Sequence, residues 1–192
     1  MPEYLIDTIR FTHLIFFALG MGSGLYFDLH ALTHINKPFT KDDIVHFGKA
    51  HIIVFTAVFG LWLSGVFLIY IRTGFVISEF TPKLWVKLII VSVLTLNAIS
   101  IGLTVLPRIK RSEGLLAIEL PLSALLPMTI TTALSISCWL SALVLGMSVI
   151  LKTANWTILG TFILAEVVII VFGSVIMILI VRAFWHNRKG LS

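Results

Sequence analysis

Five long apolar runs dominate the chain, each bounded by a short cluster of polar or helix-breaking residues. The first extends from about Ile9 to Ala31. It is followed by THINKPFTKDD, in which Pro38 and the paired Asp42 and Asp43 suit a loop and a helix start. The second runs from Ile44 to Ile71, and a loop with Gly74, Ser78, Glu79 and Pro82 leads to the third, Leu84 to Leu106, expected to stop at Pro107 before the basic stretch RIKR. A fourth, Leu116 to Leu151, is longer than a bilayer needs, and Pro121 near its start with Pro127 inside it predicts a surface turn before a kinked helix. The fifth spans Trp156 to Val181 and precedes the polar tail WHNRKGLS. A helix needs about 20 residues to cross the hydrocarbon core of a bilayer, and every run has that length. None shows the period of two that marks a barrel strand, and in hydrocarbon only helices and closed barrels satisfy every backbone polar group. The pattern predicts an all-α integral membrane protein, a bundle of about five transmembrane helices in a single domain over residues 1–192.

Composition removes the soluble alternative. Of 192 residues, 58% are hydrophobic and 12% charged, against roughly 45–50% apolar in an ordinary soluble domain, and the mean hydropathy is +1.06. The net charge of +5 lies in short loops and helix ends rather than in a stripe interleaved with aromatics, so nucleic acid is not an expected partner. Those charges report topology instead. Five crossings put Arg10, Arg72, Lys83, Lys87 and Lys152 on one side, and Lys37, Lys41, Lys49, Arg108, Lys110, Arg111, Arg182, Arg188 and Lys189 on the other. The excess on the second side predicts a cytoplasmic C-terminus and an external N-terminus, as in a bacterial inner-membrane protein. The opening MPEYLIDTIR carries acidic residues and no small-residue cleavage site, so the first span is expected to be retained. Cys138, the single cysteine, lies in an apolar run and reads as a small packed residue.

Ionisable side chains within a span are costly and mark functional candidates, here His13, Asp28, His30, His34, Lys49, His51, Lys87 and Glu166. His30, His34 and Lys49 are near enough to a membrane surface to meet headgroups, and His46 and His186 are expected to be solvated. Depth discriminates among the others. With the first span centred near Met21 and the third near Thr95, a rise of about 1.5 Å per residue puts His13 and Lys87 both about 12 Å toward the external side. Asp28 lies about 10 Å toward the opposite side, level with His51 on the antiparallel second span, so the two are expected to form a hydrogen-bonded pair. Glu166 falls near the middle of the fifth span, either protonated and buried or paired with a cation such as Lys87. At 100° per residue, Gly20 and Gly24 share the face of His13, which leaves room for a flat group there. A porphyrin ligated by His13 and ringed by Phe16, Phe17, Trp62 and Trp85 would fill such a groove, neutral imidazole being the usual axial ligand of haem. Copper is less favoured, because one cysteine and few nearby methionines offer little of the soft-ligand set that Cu(I) prefers.

Arg10, Thr12 and His13 opening the first helix, the second ending in LWLSG, and KLWVKLIIVSVLTLN opening the third together resemble small bacterial membrane proteins related to the copper-resistance D family. They also resemble the membrane-type protoporphyrinogen oxidase, a helical bundle that binds b-type haem. In that family a histidine early in the first helix and a lysine in a Trp-x-x-x-Lys stretch of the third are the functional pair. The resemblance places those roles on His13 and Lys87, here with Trp85 in Trp-x-Lys spacing. This chain has LTLNAISIG, with Asn97, where the oxidase has a tyrosine and histidine motif, and GLYFDLH where it has an arginine-bearing helix end. The differences point to haem binding rather than to that particular oxidation.

The expected function is therefore that of a membrane b-type haem protein engaged in electron transfer or in tetrapyrrole- or quinone-linked oxidation. His13 would be the axial ligand, with Lys87 a second ligand or the holder of a propionate. His51, oriented by Asp28, is the alternative metal ligand. Expected partners are the lipid bilayer, a quinone or a redox protein, and a second copy of the chain. Two rivals stand beside this reading. One is a small transporter or ion-conducting bundle with His13, Lys87, Asn97 and Glu166 along a polar path; the other is an accessory subunit of a membrane complex.

Overall fold

The computed structural model describes residues 3–35 and 37–189, with the side chains of 188 and 189 excepted. Five helices long and apolar enough to cross a membrane follow one another: α1 (Glu3–Thr33), α2 (Lys41–Thr73), α3 (Pro82–Arg111), α4 (Leu122–Met147) and α5 (Trp156–Lys189). The protein is thus an all-α, multi-pass membrane protein. Four of the helices outlast the apolar runs that predicted them, since polar residues beyond the hydrocarbon continue the backbone ladder. α4 instead is shorter than its run, Leu116 to Leu151, whose two ends form separate 3-10 turns, Ala117–Glu119 and Ile150–Lys152. α1, at 31 residues, is about 46 Å long, well beyond a hydrocarbon core of about 30 Å. The tail after Val181 is likewise helical as far as Lys189.

Local signals set most of the ends. Thr40 caps α2 through a capping box with Asp43, and Gly74 closes the same helix in the left-handed conformation at φ 57°. Thr81 caps α3, with Pro82 at its first position, where a missing N–H costs nothing. The predicted surface turn before the fourth crossing is a short 3-10 turn, Ala117–Glu119, and Pro121 sits at the N-cap of α4.

The expected stop at Pro107 does not occur. Proline cannot donate to the ladder, but a π-helical segment, Ile101–Val105, precedes it, and the helix continues through Leu106–Arg111. A local widening to i→i+5 bonds is a known way for a helix to take up a proline.

α1 and α2 form an antiparallel hairpin packed mainly along its own length, and α3, α4 and α5 pack in sequence beside it. The interior is built on close approach of small residues to aromatic rings. Trp139 of α4 is 2% exposed, and its indole covers Gly20 and Gly24 of α1. A Cβ at Gly20 would stand 2.4 Å from the ring, and Phe16 lies just as tightly over Gly60. Phe17 meets Trp139 edge-on at 5.6 Å between centroids. A second apolar cluster, with Phe27, Phe39, Phe47 and Ile109, closes the end of the bundle that carries the α1–α2 connection. There the two connections on that face are stitched together: Phe39 N–H donates to Leu115 O, Gly114 N–H to Phe39 O and Ala117 N–H to His34 O, at 2.8–3.1 Å.

Candidate functional site

Polar side chains gather in three places along the hairpin. The first is near the N-terminal end of α1. His13 Nδ1 lies 2.8 Å from Ser64 Oγ of α2, and Ser64 is buried. Lys87 of α3 is close enough for its charge to act on His13, and Lys83 and Arg72 are within the same electrostatic reach of Lys87. Among the described residues no carboxylate forms an ion pair with Lys87. The charge of Lys87 thus acts on His13, but no hydrogen bond joins the two among the described residues.

The second place is mid-bundle. Asp28 and His51 line one small interior cavity of about 30 Å³ with Phe27, Leu94 and Ser135, space enough for a water molecule. Their depths match, but the expected hydrogen bond between them is not formed. The physical reason is azimuth: His51 reaches across to the π-helical segment of α3, where a Cβ on Gly102 would stand 2.9 Å from its Nε2. Asn97, also buried, donates from Nδ2 to Thr131 O at 2.9 Å and joins α3 to α4. Glu166 accepts a short hydrogen bond from the Ser141 hydroxyl of α4. Its partner is thus a neighbouring serine, and no ion pair joins it to Lys87 among the described residues.

The glycine face does carry a flat group, and that group is the chain's own Trp139. The aromatic residues expected around it are also engaged elsewhere. Trp62 donates to Thr95 Oγ1 at 2.9 Å, and Trp85 lies on the perimeter against Phe80.

The third place is one that the sequence reading assigned to headgroup contact. His30 and His34, one turn apart at the end of α1, meet Asp43 from the first turn of α2. His30 Nε2 is 2.9 Å from Asp43 Oδ1 and His34 Nε2 is 3.4 Å from the same oxygen. The three donor atoms fall within 4.8 Å of one another. Rings hold the imidazoles in place: Tyr26 stacks on His30 at 5.7 Å, Phe39 on His34 at 4.9 Å, and Phe47 packs against both. Lys49 and His46, by contrast, are exposed, and His46 Nδ1 bonds only the Asp42 carbonyl at 2.7 Å. His186 is exposed near the end of α5. The usable signal was the His-x-x-x-His spacing at a helix end followed by an acidic first turn. The hairpin that brings the acid onto the histidines is what the pattern did not display.

Comparison with protein-family models, with curated proteins and with solved structures found no match.

Proposed function

We propose that this membrane protein is a b-type haem-binding redox protein with His13 as the axial ligand. One observation carries the reading. Ser64 has a single hydroxyl proton, and it is committed to the Gly60 carbonyl at 2.6 Å. Its oxygen must therefore accept from His13, so the imidazole carries its proton on Nδ1 and keeps the Nε2 lone pair free. That is the tautomer a metal ligand needs, with the other ring nitrogen donating to an orienting oxygen. Lys87 beside it, a cation without a carboxylate partner among the described residues, suits a propionate or another anionic group. Haem would supply one-electron chemistry here; the chain's own contribution is to hold and orient the imidazole and to place a positive charge.

The fit is local. His13 and Lys87 fit the group, whereas Gly20 and Gly24 do not cradle it, because Trp139 covers them. The small cavity lined by Asp28 and His51, about 30 Å³, is far too small for a porphyrin, whereas His13 is half-buried and accessible from the perimeter. An electron partner, a quinone or a redox protein, or a second copy of the chain would approach on that side. The positive-charge distribution supports a bacterial inner-membrane location with this end external, and the resemblance carried by His13 and Lys87 belongs to the same reading.

The test is optical. Purified in detergent from cells with ample haem, the protein should show a Soret band that His13→Ala abolishes or shifts and His186→Ala leaves unchanged. A colourless wild-type protein would refute the reading. One observation favours a second reading, a proton- or ion-conducting bundle: Asp28 and His51 face a common interior cavity. A colourless protein whose flux in liposomes is lost on Asp28→Asn would establish that alternative.

A further inference from the structure

The cluster at the α1–α2 end is independent of the haem reading and lies at the opposite end of α1. His34 is 4% exposed, and its two ring nitrogens differ sharply. Nδ1 is 3.3 Å from the Lys37 carbonyl. A carbonyl only accepts, so Nδ1 carries a proton, and Nε2 is the nitrogen left to take either a second proton or a metal ion. That Nε2 is buried and has no hydrogen-bond partner. It faces Asp43 Oδ1 across 3.4 Å, a separation within ion-pair range that does not make a hydrogen bond. Nε2 and a carboxylate oxygen thus face each other at an ion-pair separation with no hydrogen bond between them. Such an arrangement is costly unless a cation lies there.

The rest of the geometry selects which cation. Asp43 is clamped from the far side: the backbone N–H of Thr40 donates to Oδ2 at 2.9 Å, and the Thr40 hydroxyl donates to the same oxygen. That leaves Oδ1 turned toward the histidines. Bonds of about 2.0–2.1 Å to a tetrahedral ion imply ligand-to-ligand edges of roughly 3.3 Å. The two separations measured from Oδ1, 2.9 and 3.4 Å, already bracket that edge. The remaining side opens to solvent through a shallow surface groove bordered by the exposed residues Thr33, Lys37 and Thr40. The end of α1 adds the negative pole of its macrodipole, which favours a positive charge.

We propose that His30, His34 and Asp43 form a binding site for one divalent first-row transition ion of the Zn(II) or Fe(II) class. Two imidazole nitrogens and one carboxylate oxygen hold the ion, and its remaining coordination positions open to the surface groove. Two-histidine, one-carboxylate sets with open positions suit these ions, and their borderline character matches imidazole better than the hard all-oxygen sites of Mg²⁺ or Ca²⁺. Binding replaces the proton on His30 Nε2, which otherwise donates to Asp43. The backbone bonds from Ala117 to His34 O and between Phe39 and the α3–α4 connection keep the ligands in register before the ion arrives.

The experiment uses the full chain in detergent, with Zn²⁺ as the probe and Co²⁺ as its optical reporter. The expected result is one Zn²⁺ per chain after dialysis, a Co²⁺ visible spectrum that Zn²⁺ displaces, and a melting temperature that rises with Zn²⁺. His30→Gln and Asp43→Asn should each weaken Zn²⁺ binding at least tenfold, while His46→Ala should bind as wild type does. Asp43→Asn is chosen to fold: its amide can donate to the His34 Nε2 lone pair, and its oxygen still accepts from the Thr40 N–H. His30→Gln alters a half-buried side chain and provides an independent arm. A wild-type protein that binds no Zn²⁺ would mean that a proton alone bridges His34 and Asp43, and would overturn the proposal. Binding that survives unchanged in both variants would place the metal on exposed histidines and overturn it equally.

Discussion

Gly20 is wedged between two helices, and adding one methyl group there tests the packing of the whole bundle. In Gly20→Ala the new Cβ would lie 2.4 and 2.9 Å from two atoms of the Trp139 ring and 3.1 Å from the Ala57 Cβ. Ordinary contact begins near 3.4 Å, so the overlap with the ring is about 1 Å. Neither side yields easily. Trp139 is a rigid bicycle, 2% exposed, and Ala57 belongs to the partner helix of the hairpin. Overpacking of this kind costs roughly 1–3 kcal/mol, offset by about 1 kcal/mol for replacing glycine with alanine in a helix. The upper end applies because the methyl group is confined on both sides, leaving a net loss of about 2 kcal/mol. For a chain of this length that is a fall in melting temperature of roughly 4–8 °C. The protein carries its own reporter: Cys138, its one cysteine, is 5% exposed and adjoins Trp139, so a maleimide dye labels it only on unfolding. Gly22→Ala is the matched control, since its Cβ would meet nothing within 4 Å; it should melt at or above the wild type. Trp139→Phe withdraws the overlapping ring, so in the double variant the two losses should add to less than their sum by about 1 kcal/mol or more. A Gly20→Ala protein as stable as Gly22→Ala would refute the packing argument.

Gly102→Val should displace His51 and lower the melting temperature, at a cost of about 1–3 kcal/mol, because even a Cβ there would stand 2.9 Å from His51 Nε2. The same reporter checks it, with Gly48→Ala, whose Cβ meets open space, as the unaffected reference. For topology, in a Cys138→Ala background an impermeant maleimide applied to intact cells should label Tyr4→Cys and spare His186→Cys; equal labelling of these two exposed positions would contradict the charge-based orientation.

The number and order of the crossings were legible because hydrocarbon admits few solutions. A run of about 20 apolar residues has to be a helix, and five such runs account for nearly the whole chain. The ends were less legible for a simple reason. Hydropathy reports where the membrane stops, whereas backbone hydrogen bonding continues into the polar residues on either side, as from Glu3 to Thr8 and from Arg182 to Lys189. Pro107 shows the limit of a residue-level rule. Its missing N–H forbids a regular ladder, but five residues of π-helix absorb the defect, and no local pattern announces that remedy.

Site residues divide along the same line, between properties that depend on depth and properties that depend on azimuth or on a distant segment. Depth follows from counting residues, so the common level of Asp28 and His51, which line one cavity, could be matched in advance. Azimuth depends on helix rotation, which is why His51 turned out to face Gly102 rather than to bond Asp28. The bare face at Gly20 and Gly24 was read as room for a porphyrin, and Trp139 fills it instead, because a pattern of small residues specifies the space and not its occupant. More than a hundred residues of intervening chain separate that face from Trp139, and only the packing of α4 against the hairpin identifies the ring. His30, His34 and Asp43 are the complementary case. Taken singly, each suits a membrane surface or a helix start; together they converge because the connection between α1 and α2 is short and the Thr40 capping box turns the carboxylate inward. The capping box satisfies one oxygen of Asp43 and thereby commits the other to the histidines. A residue placed to start a helix is in this way also positioned as a ligand.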